Sequence, residues 1–147
     1  MLSNTCKYAI RSLIYLANYA GETKKIGIKK ISEDLNIPSP FLGKILQSLA
    51  REKILCSTKG PNGGFALGKK PEEISLYDIV VHVDGEEYFN NCIIRLEPCS
   101  CFAEEISTCP VHKRFSKNRT ELINFYQETT LSEIIEDFEI SGEEIRF

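Results

Sequence analysis

Four of the six cysteines, Cys92, Cys99, Cys101 and Cys109, fall within 18 residues, and His112 follows three residues after the last. Thiols clustered in this way are not spread as a disulfide framework would be, and they suggest metal binding in a reducing cytosol. Thiolates on a flexible loop suit an iron–sulfur cluster, which needs one more ligand where three cysteines are supplied. A zinc tetrahedron of three cysteines and one histidine uses the same set, and plain free thiols are the bland alternative. Cys109 and His112 lie three apart, so an incipient helix places both on one side. A close Cys–His pair also permits nucleophile-and-base chemistry. No oxyanion or substrate-positioning motif accompanies it, so an enzyme is not expected. Cys6 and Cys56 sit in a predicted helix and strand, where each is expected to pack as a small apolar residue.

A second group of residues is suited to nucleic acid. Pro38 and its predecessor disfavour helix, Ser39 is a good N-cap, and Pro40 suits the first helical position. In the helix that follows, Phe41, Leu42, Ile45, Leu46 and Leu49 span an arc of about 140° and are expected to face a core. Lys44, Gln47, Ser48 and Arg51 occupy an arc of about 100° on the other side. Charge is divided along the chain in the same sense. Residues 24–70 carry ten Lys and Arg against three Asp and Glu, a net +7, while residues 71–147 carry six against seventeen, a net −11. A basic module on an acidic body is the footprint of phosphate binding confined to one region, and a uniformly solvated surface does not predict it.

The remaining elements must position these two groups. The first helix is expected over Thr5–Ala20, apolar over so much of its girth that it meets two bodies, with Gly21 as its stop. Ile26–Ile28 is expected as a single edge strand and Lys29–Leu35 as a short helix ending at Asn36. With the Ser39–Arg51 helix this makes helix, turn, helix with about four intervening residues. Ile54–Thr58 and Phe65–Leu67 read as strands joined by Lys59-Gly60-Pro61-Asn62-Gly63-Gly64, in which Gly and Asn supply positive φ. A hairpin directly after a recognition helix is the wing of a winged helix-turn-helix, with Lys59 at its tip and Lys69 and Lys70 near its base.

Ser75 is expected to cap a short helix carrying Leu76, Ile79, Val80 and Val83, with His82 structural or solvent-facing. Periodicity then disappears from Asp84 to Thr108. Val111–Glu128 is the longest later helix, and Val111, Phe115, Leu122 and Tyr126 fall within about 80° of its girth. That stripe is available to a second subunit or to the chain's own domain. Leu131, Ile134, Ile135 and Phe138 give a last short helix, capped by Thr130 or Ser132. The fold class is therefore mainly α with a small β-hairpin. Residues 1–83 form a winged helix-turn-helix domain, 84–110 a cysteine-rich loop, and 111–147 a dimerisation helix with a short terminal helix. No apolar run approaches the ~20 residues of a membrane span and no signal peptide is expected, so a cytoplasmic location follows. The Asn118-Arg119-Thr120 sequon is expected to be irrelevant.

Taken together, several segments resemble the IscR/NsrR/CymR-type bacterial winged-helix transcription regulators, over essentially the whole chain. They are Lys7-Tyr8-Ala9-Ile10-Arg11, Ile31-Ser32-Glu33, Phe41-Leu42, Lys59–Leu67, Ile79-Val80, Val83-Asp84-Gly85 and Cys109-Pro110-Val111-His112. The resemblance implies a homodimer whose long C-terminal helices cross, setting two winged modules on a palindromic double-stranded DNA operator. It implies DNA contacts at Ser39, Pro40, Gly43, Lys44 and Lys59, to which the polar face above adds Gln47 and Arg51. Gly43 departs from the polar side chain that some members carry there. Several members hold a [2Fe-2S] or [4Fe-4S] cluster on three loop cysteines, and others hold none. The implied ligands here are Cys92, Cys99, Cys109 and His112, with Cys101 able to replace Cys99. His112 resembles the histidine ligand of the IscR-like branch. The acidic ligand of NsrR-like members is matched by Lys7, which cannot ligate as an ammonium. The implied function is a regulator that senses redox, nitric oxide or iron–sulfur status, with zinc, thiol or protein-partner sensing as the alternative.

Overall fold

Helix α1 (Asn4–Tyr19) is the spine against which the other elements pack. Its N-terminus is set by Ser3, whose Oγ accepts from the Cys6 N–H at 3.0 Å. The Ser3 N–H and hydroxyl both donate to the Asp84 carboxylate, which ties the start of α1 to the end of a later helix. Cys6, Ala9, Leu13 and Leu16 are fully buried on one side, and Ser12 disposes of its buried hydroxyl by donating to the Tyr8 carbonyl at 2.7 Å. The helix starts one residue earlier than its pattern predicts and ends at Tyr19. Ala20 and not Gly21 closes it, in extended conformation. The computed structural model describes residues 1–21, 24–92, 94 and 110–141.

Ile26 forms an isolated antiparallel bridge with Phe65, but the predicted edge strand goes no further. Gly27 is already the N-cap of α2 (Ile28–Leu35), and Ile28 is its first residue. Asn36 ends α2 in the left-handed region at φ 52°, and the Arg11 guanidinium donates to the Leu35 carbonyl at 3.2 Å. Three residues then lead into α3 (Ser39–Arg51). The expected cap shifts by one here. Pro38 is the N-cap, its carbonyl accepting from the Leu42 N–H at 2.9 Å, and Ser39 is the first helical residue without a side-chain capping bond. A proline carbonyl serves because the first intrahelical bond needs only an acceptor at that position.

Strands β1 (Leu55–Thr58) and β2 (Gly64–Leu67) pair antiparallel, Leu55 opposite Leu67 and Thr58 opposite Gly64. A short 3-10 turn (Pro71–Glu73) precedes α4 (Leu76–Asp84), where Ser75 and Asp78 form the expected cap reciprocally. The segment predicted to lose its structure from Asp84 instead continues as helix through Asp84 and resumes as α5 (Glu87–Asn90), with Phe89 buried. The aromatic pair Tyr88-Phe89 supplies a short-range packing drive that periodicity cannot register over so few residues. Helix α6 spans Pro110–Glu128 and α7 spans Leu131–Ser141. Thr130 caps α7, its Oγ1 accepting from the Glu133 N–H at 3.3 Å. Reciprocal backbone bonds from Leu76 N–H to Thr129 and from Leu131 N–H to Ile74 fasten the α6–α7 corner to the start of α4.

One continuous core joins α1, α2, α3, the hairpin and α4, and reaches α6 and α7 through Tyr126 and Leu131. Cys6 belongs to it. Its thiol, ordinarily near 9.0, is pushed up to about 12 by burial, with the Asp84 charge adding to the shift. A thiol whose folded value is raised favours the folded state below the ordinary value, and that contribution is lost as pH climbs from about 9 towards 12. Alkylation of native protein near pH 9, mapped by mass spectrometry, should therefore leave Cys6 unmodified while the half-buried Cys56 reacts.

Candidate nucleic-acid interface and cysteine-loop anchor

The outer face of α3 is built by exclusion. Leu42, Ile45, Leu46 and Leu49 are buried, which leaves Lys44, Gln47 and Arg51 exposed one turn apart along the opposite side. Two residues depart from the expected arcs. Phe41, assigned to the core by its angle, is 40 % exposed and packs edge-on against Tyr8 with ring centroids 5.8 Å apart. Ser48, assigned to the polar face, is half-buried and hydrogen-bonds His82 Nε2 at 2.9 Å, so it turns towards α4. His82 is thereby structural, the pin between α3 and α4. Gly43 is half-buried where α3 crosses α2, and a Cβ there would stand 3.1 Å from Ile28 Cδ1. The glycine allows the two helices their close approach.

Pro40 is exposed and Ser39 half-buried at the start of α3, and Lys59 is exposed at the wing tip. Neither Lys44 nor Lys59 is paired with a carboxylate among the described residues. The wing's base is fixed by the Ile26–Phe65 bridge and by Lys25, whose ammonium donates to Thr58 Oγ1. Beside it lies an open concavity lined by Tyr15, Tyr19, Lys24, Lys25, Gly27 and Lys30 at the N-terminus of α2. Within it the hydrogen bond from Lys30, and then that from Tyr15, lower the Asp34 carboxyl below its ordinary value. Sequence reading counted these lysines only as charge. Their clustering on the wing side of α2 comes from the turn that brings residues 24–27 beside the hairpin.

The cysteine loop enters from α5. Cys92 is half-buried, and His112 is half-buried on α6; Cys99, Cys101 and Cys109 lie outside the described residues. Among the described residues no three His, Cys, Asp or Glu side chains come together as a metal ion would require. What the structure adds is Arg119, which sequence reading passed over inside a sequon. It is only 6 % exposed, and its Nη2 donates to the carbonyl of Asn91 at 2.8 Å, the residue before Cys92. Its guanidinium carbon stands 5.3 Å from the Phe115 ring centroid. A signal was present: Arg119 interrupts the apolar stripe of Phe115, Leu122 and Tyr126 at helical spacing.

Arg119 and His112 are seven residues apart, so they share a face of α6 about 10 Å from each other along the axis. The Asn91 bond thus lays the Cys92 end of the loop on the helix face that carries His112. Cys92 and His112 fit a thiolate- and imidazole-held metal centre in donor chemistry, and the buried cation of Arg119 suits a site that gathers negative charge. An aromatic cluster backs this region. Tyr77 stacks on Phe89 at 4.9 Å between centroids, and Phe89 meets Tyr126 of α6 edge-on at 5.3 Å. On its outer side α6 exposes apolar residues, Leu122 at 39 % and Phe125 at 55 %.

Comparison with known proteins gives a consistent answer. Residues 2–137 match the Rrf2 family, described as "Iron-dependent Transcriptional regulator". A protein of Aquifex aeolicus described as an HTH-type transcriptional regulator is 32% identical over 136 residues, covering 92% of this chain and 91% of its own. The HTH-type transcriptional regulator NsrR of Bacillus licheniformis is 27% identical over 134 residues, covering 91% of each chain. Among solved structures, CymR, the global cysteine regulator of B. subtilis, superposes with a TM-score of 0.75 at 20% identity. That match covers 93% of this chain and 97% of the other.

Proposed function

Because this chain belongs to the Rrf2 family of transcriptional regulators, we propose that it acts as a homodimeric, sequence-specific DNA-binding regulator whose cysteine loop senses redox, nitric oxide or iron–sulfur status. Its relatives and structural neighbours are transcriptional regulators and not enzymes. The observation that carries the DNA-binding face is the exposed row Lys44, Gln47 and Arg51 on α3, beside a wing with Lys59 at its tip. The lysines neutralise phosphates, Gln47 and Arg51 have the donor geometry for base edges, and Ser39, Pro40 and Gly43 bring the α3 N-terminus close to the backbone. Two such modules related by a dyad read a palindromic operator.

The apolar residues that α6 leaves uncovered, Leu122 and Phe125, support the dimer. Two apolar side chains of this size are costly to leave in water. A Leu122→Glu, Phe125→Glu double variant is expected to sediment as a monomer, with the fold intact by circular dichroism. An unchanged dimer would move the interface elsewhere.

The sensing part rests on Cys92, Cys99 and Cys109 with His112, Cys101 being the alternative to Cys99. An iron–sulfur cluster on these residues supplies a centre whose redox state and integrity respond to oxidant and nitric oxide. The chain's own part is to carry that difference to the DNA face. Arg119 holds the loop to α6, the Phe89–Tyr126–Tyr77 cluster joins α6 to α4, and the Ser48–His82 bond joins α4 to α3. Coupling along this route requires the two loop states to differ in free energy with the DNA-competent form. Anaerobic purification followed by iron, sulfide and zinc assays tests the reading. Iron and sulfide in the wild type, lost in Cys92→Ala together with a change in operator affinity, is the expected result. A colourless, iron-free protein with unchanged affinity after Cys92→Ala would sink the sensing role, and zinc alone would favour the metal-switch alternative.

A further inference from the structure

Helix α6 carries a cation that the described fold buries without an anion. Arg119 is buried over the Phe115 ring, and among the described residues only its Nη2 is used, on the Asn91 carbonyl. Nε and Nη1 are buried with no hydrogen-bond partner among the described residues. A guanidinium has five N–H donors in a fixed fork, and one neutral carbonyl and a ring face do not offset the loss of its hydration. The group that Arg119 does hold is the backbone that leads directly into Cys92. A buried fork with two open donors at the root of a thiolate-rich loop is a place prepared for negative charge.

We propose that Arg119 is a positioning and charge-balancing residue for an anionic, thiolate-held centre at the Cys92 end of the loop, its Nε and Nη1 donating to sulfur of that centre. The inference rests on the sensing reading above and deepens it. Hydrogen bonds and positive charge at the sulfurs favour the more negative, reduced state, so Arg119 raises the reduction potential of the centre. Without the centre the same cation has no anion among the described residues, and it favours loading over the empty state.

The test uses full-length protein reconstituted anaerobically with iron and sulfide, as wild type, Arg119→Lys and Arg119→Met. One-electron reduction by dithionite is followed by visible absorption at set potentials, and thermal unfolding is recorded with and without the centre. Arg119→Met is expected to lower the reduced-to-oxidised ratio at a fixed potential about tenfold, equivalent to 59 mV for one electron. It should also shrink the rise in Tm that loading gives. Arg119→Lys, which keeps the charge, should fall nearer the wild type, a pattern that a purely packing role does not produce. A wild type that loads while Arg119→Met alters neither the potential nor the loading-dependent Tm overturns this inference and leaves the sensing reading standing. A variant that weakens only the dimer overturns it too, because the missing anion is then a carboxylate of the second copy. A wild type that takes up no iron or sulfide removes the sensing reading and this inference with it.

Discussion

Replacing Lys44 and Lys59 together by alanine lowers affinity for duplex DNA about fiftyfold near 0.1 M salt, and flattens its salt dependence. The two ammonium groups stand on α3 and at the wing tip, exposed and without carboxylate partners among the described residues. Each phosphate neutralised contributes about 0.9 to the slope of log K against log salt, so removing two contacts should reduce that slope by roughly 1.8. The loss shows on random-sequence duplex as well as on an operator, because phosphate contacts position the protein without reading sequence. Lys113→Ala is the control: this exposed lysine of α6 lies in the acidic part of the chain, and its removal should leave the slope unchanged. Fluorescence anisotropy over a salt series decides the matter. Equal slopes for the double variant and the wild type would move the DNA face off α3 and the wing.

Gly64→Ala should be among the most damaging small substitutions in the DNA-binding half, costing about 3 kcal/mol of stability and detaching the wing. Gly64 opens β2 at φ +155°, and a Cβ there would stand 2.4 Å from the Ile26 carbonyl oxygen. That oxygen accepts the Phe65 N–H at 2.9 Å, so the clash falls on the bridge that anchors the hairpin to residue 26. Backbone strain of this kind and overpacking each cost on the order of 1–3 kcal/mol, and neither can relax by rotating a flexible side chain. Urea denaturation measures the stability and hydrogen exchange of the Phe65 amide reports the bridge. Wild-type stability together with a protected Phe65 amide would show that the hairpin does not depend on this approach. The same variant should bind DNA less well, since Lys59 is placed by the hairpin.

These two expectations differ in how far the sequence foretells them. The wing turn is legible because Gly60, Gly63 and Gly64 bracket Pro61 and Asn62 between two short apolar runs, and few other structures satisfy that chemistry. The recognition helix is legible from its period and from the prolines at its start. Its boundaries are less so: Pro38 took the cap in place of Ser39, and Lys53, a residue with no preference for positive φ, turns the chain into β1 at φ 60°. Facing directions fail in a characteristic way. Angular projection places Phe41 with Leu42 and Ser48 with Lys44, yet Phe41 is half outside against Tyr8, and Ser48 is drawn to His82. Period says which residues share a side of a helix. It does not say where the covering body stops.

The sequence by itself determined the class of this protein. Its local turn chemistry, the division of charge into a basic module and an acidic body, and the cysteines gathered before a long helix all lie within short stretches of chain, where spacing and residue type suffice. Tertiary structure decided what joins them. Residue 26 bridges to residue 65, residue 48 to residue 82, and residue 91 to residue 119, and none of these pairs has a local signature. Arg119 is the clearest case. In the sequence it is one cation among the six of an acidic half. Only the packing of α6 against the Phe89 region turns it into a buried charge at the entrance to the cysteine loop, because burial depends on what two distant segments jointly exclude from water.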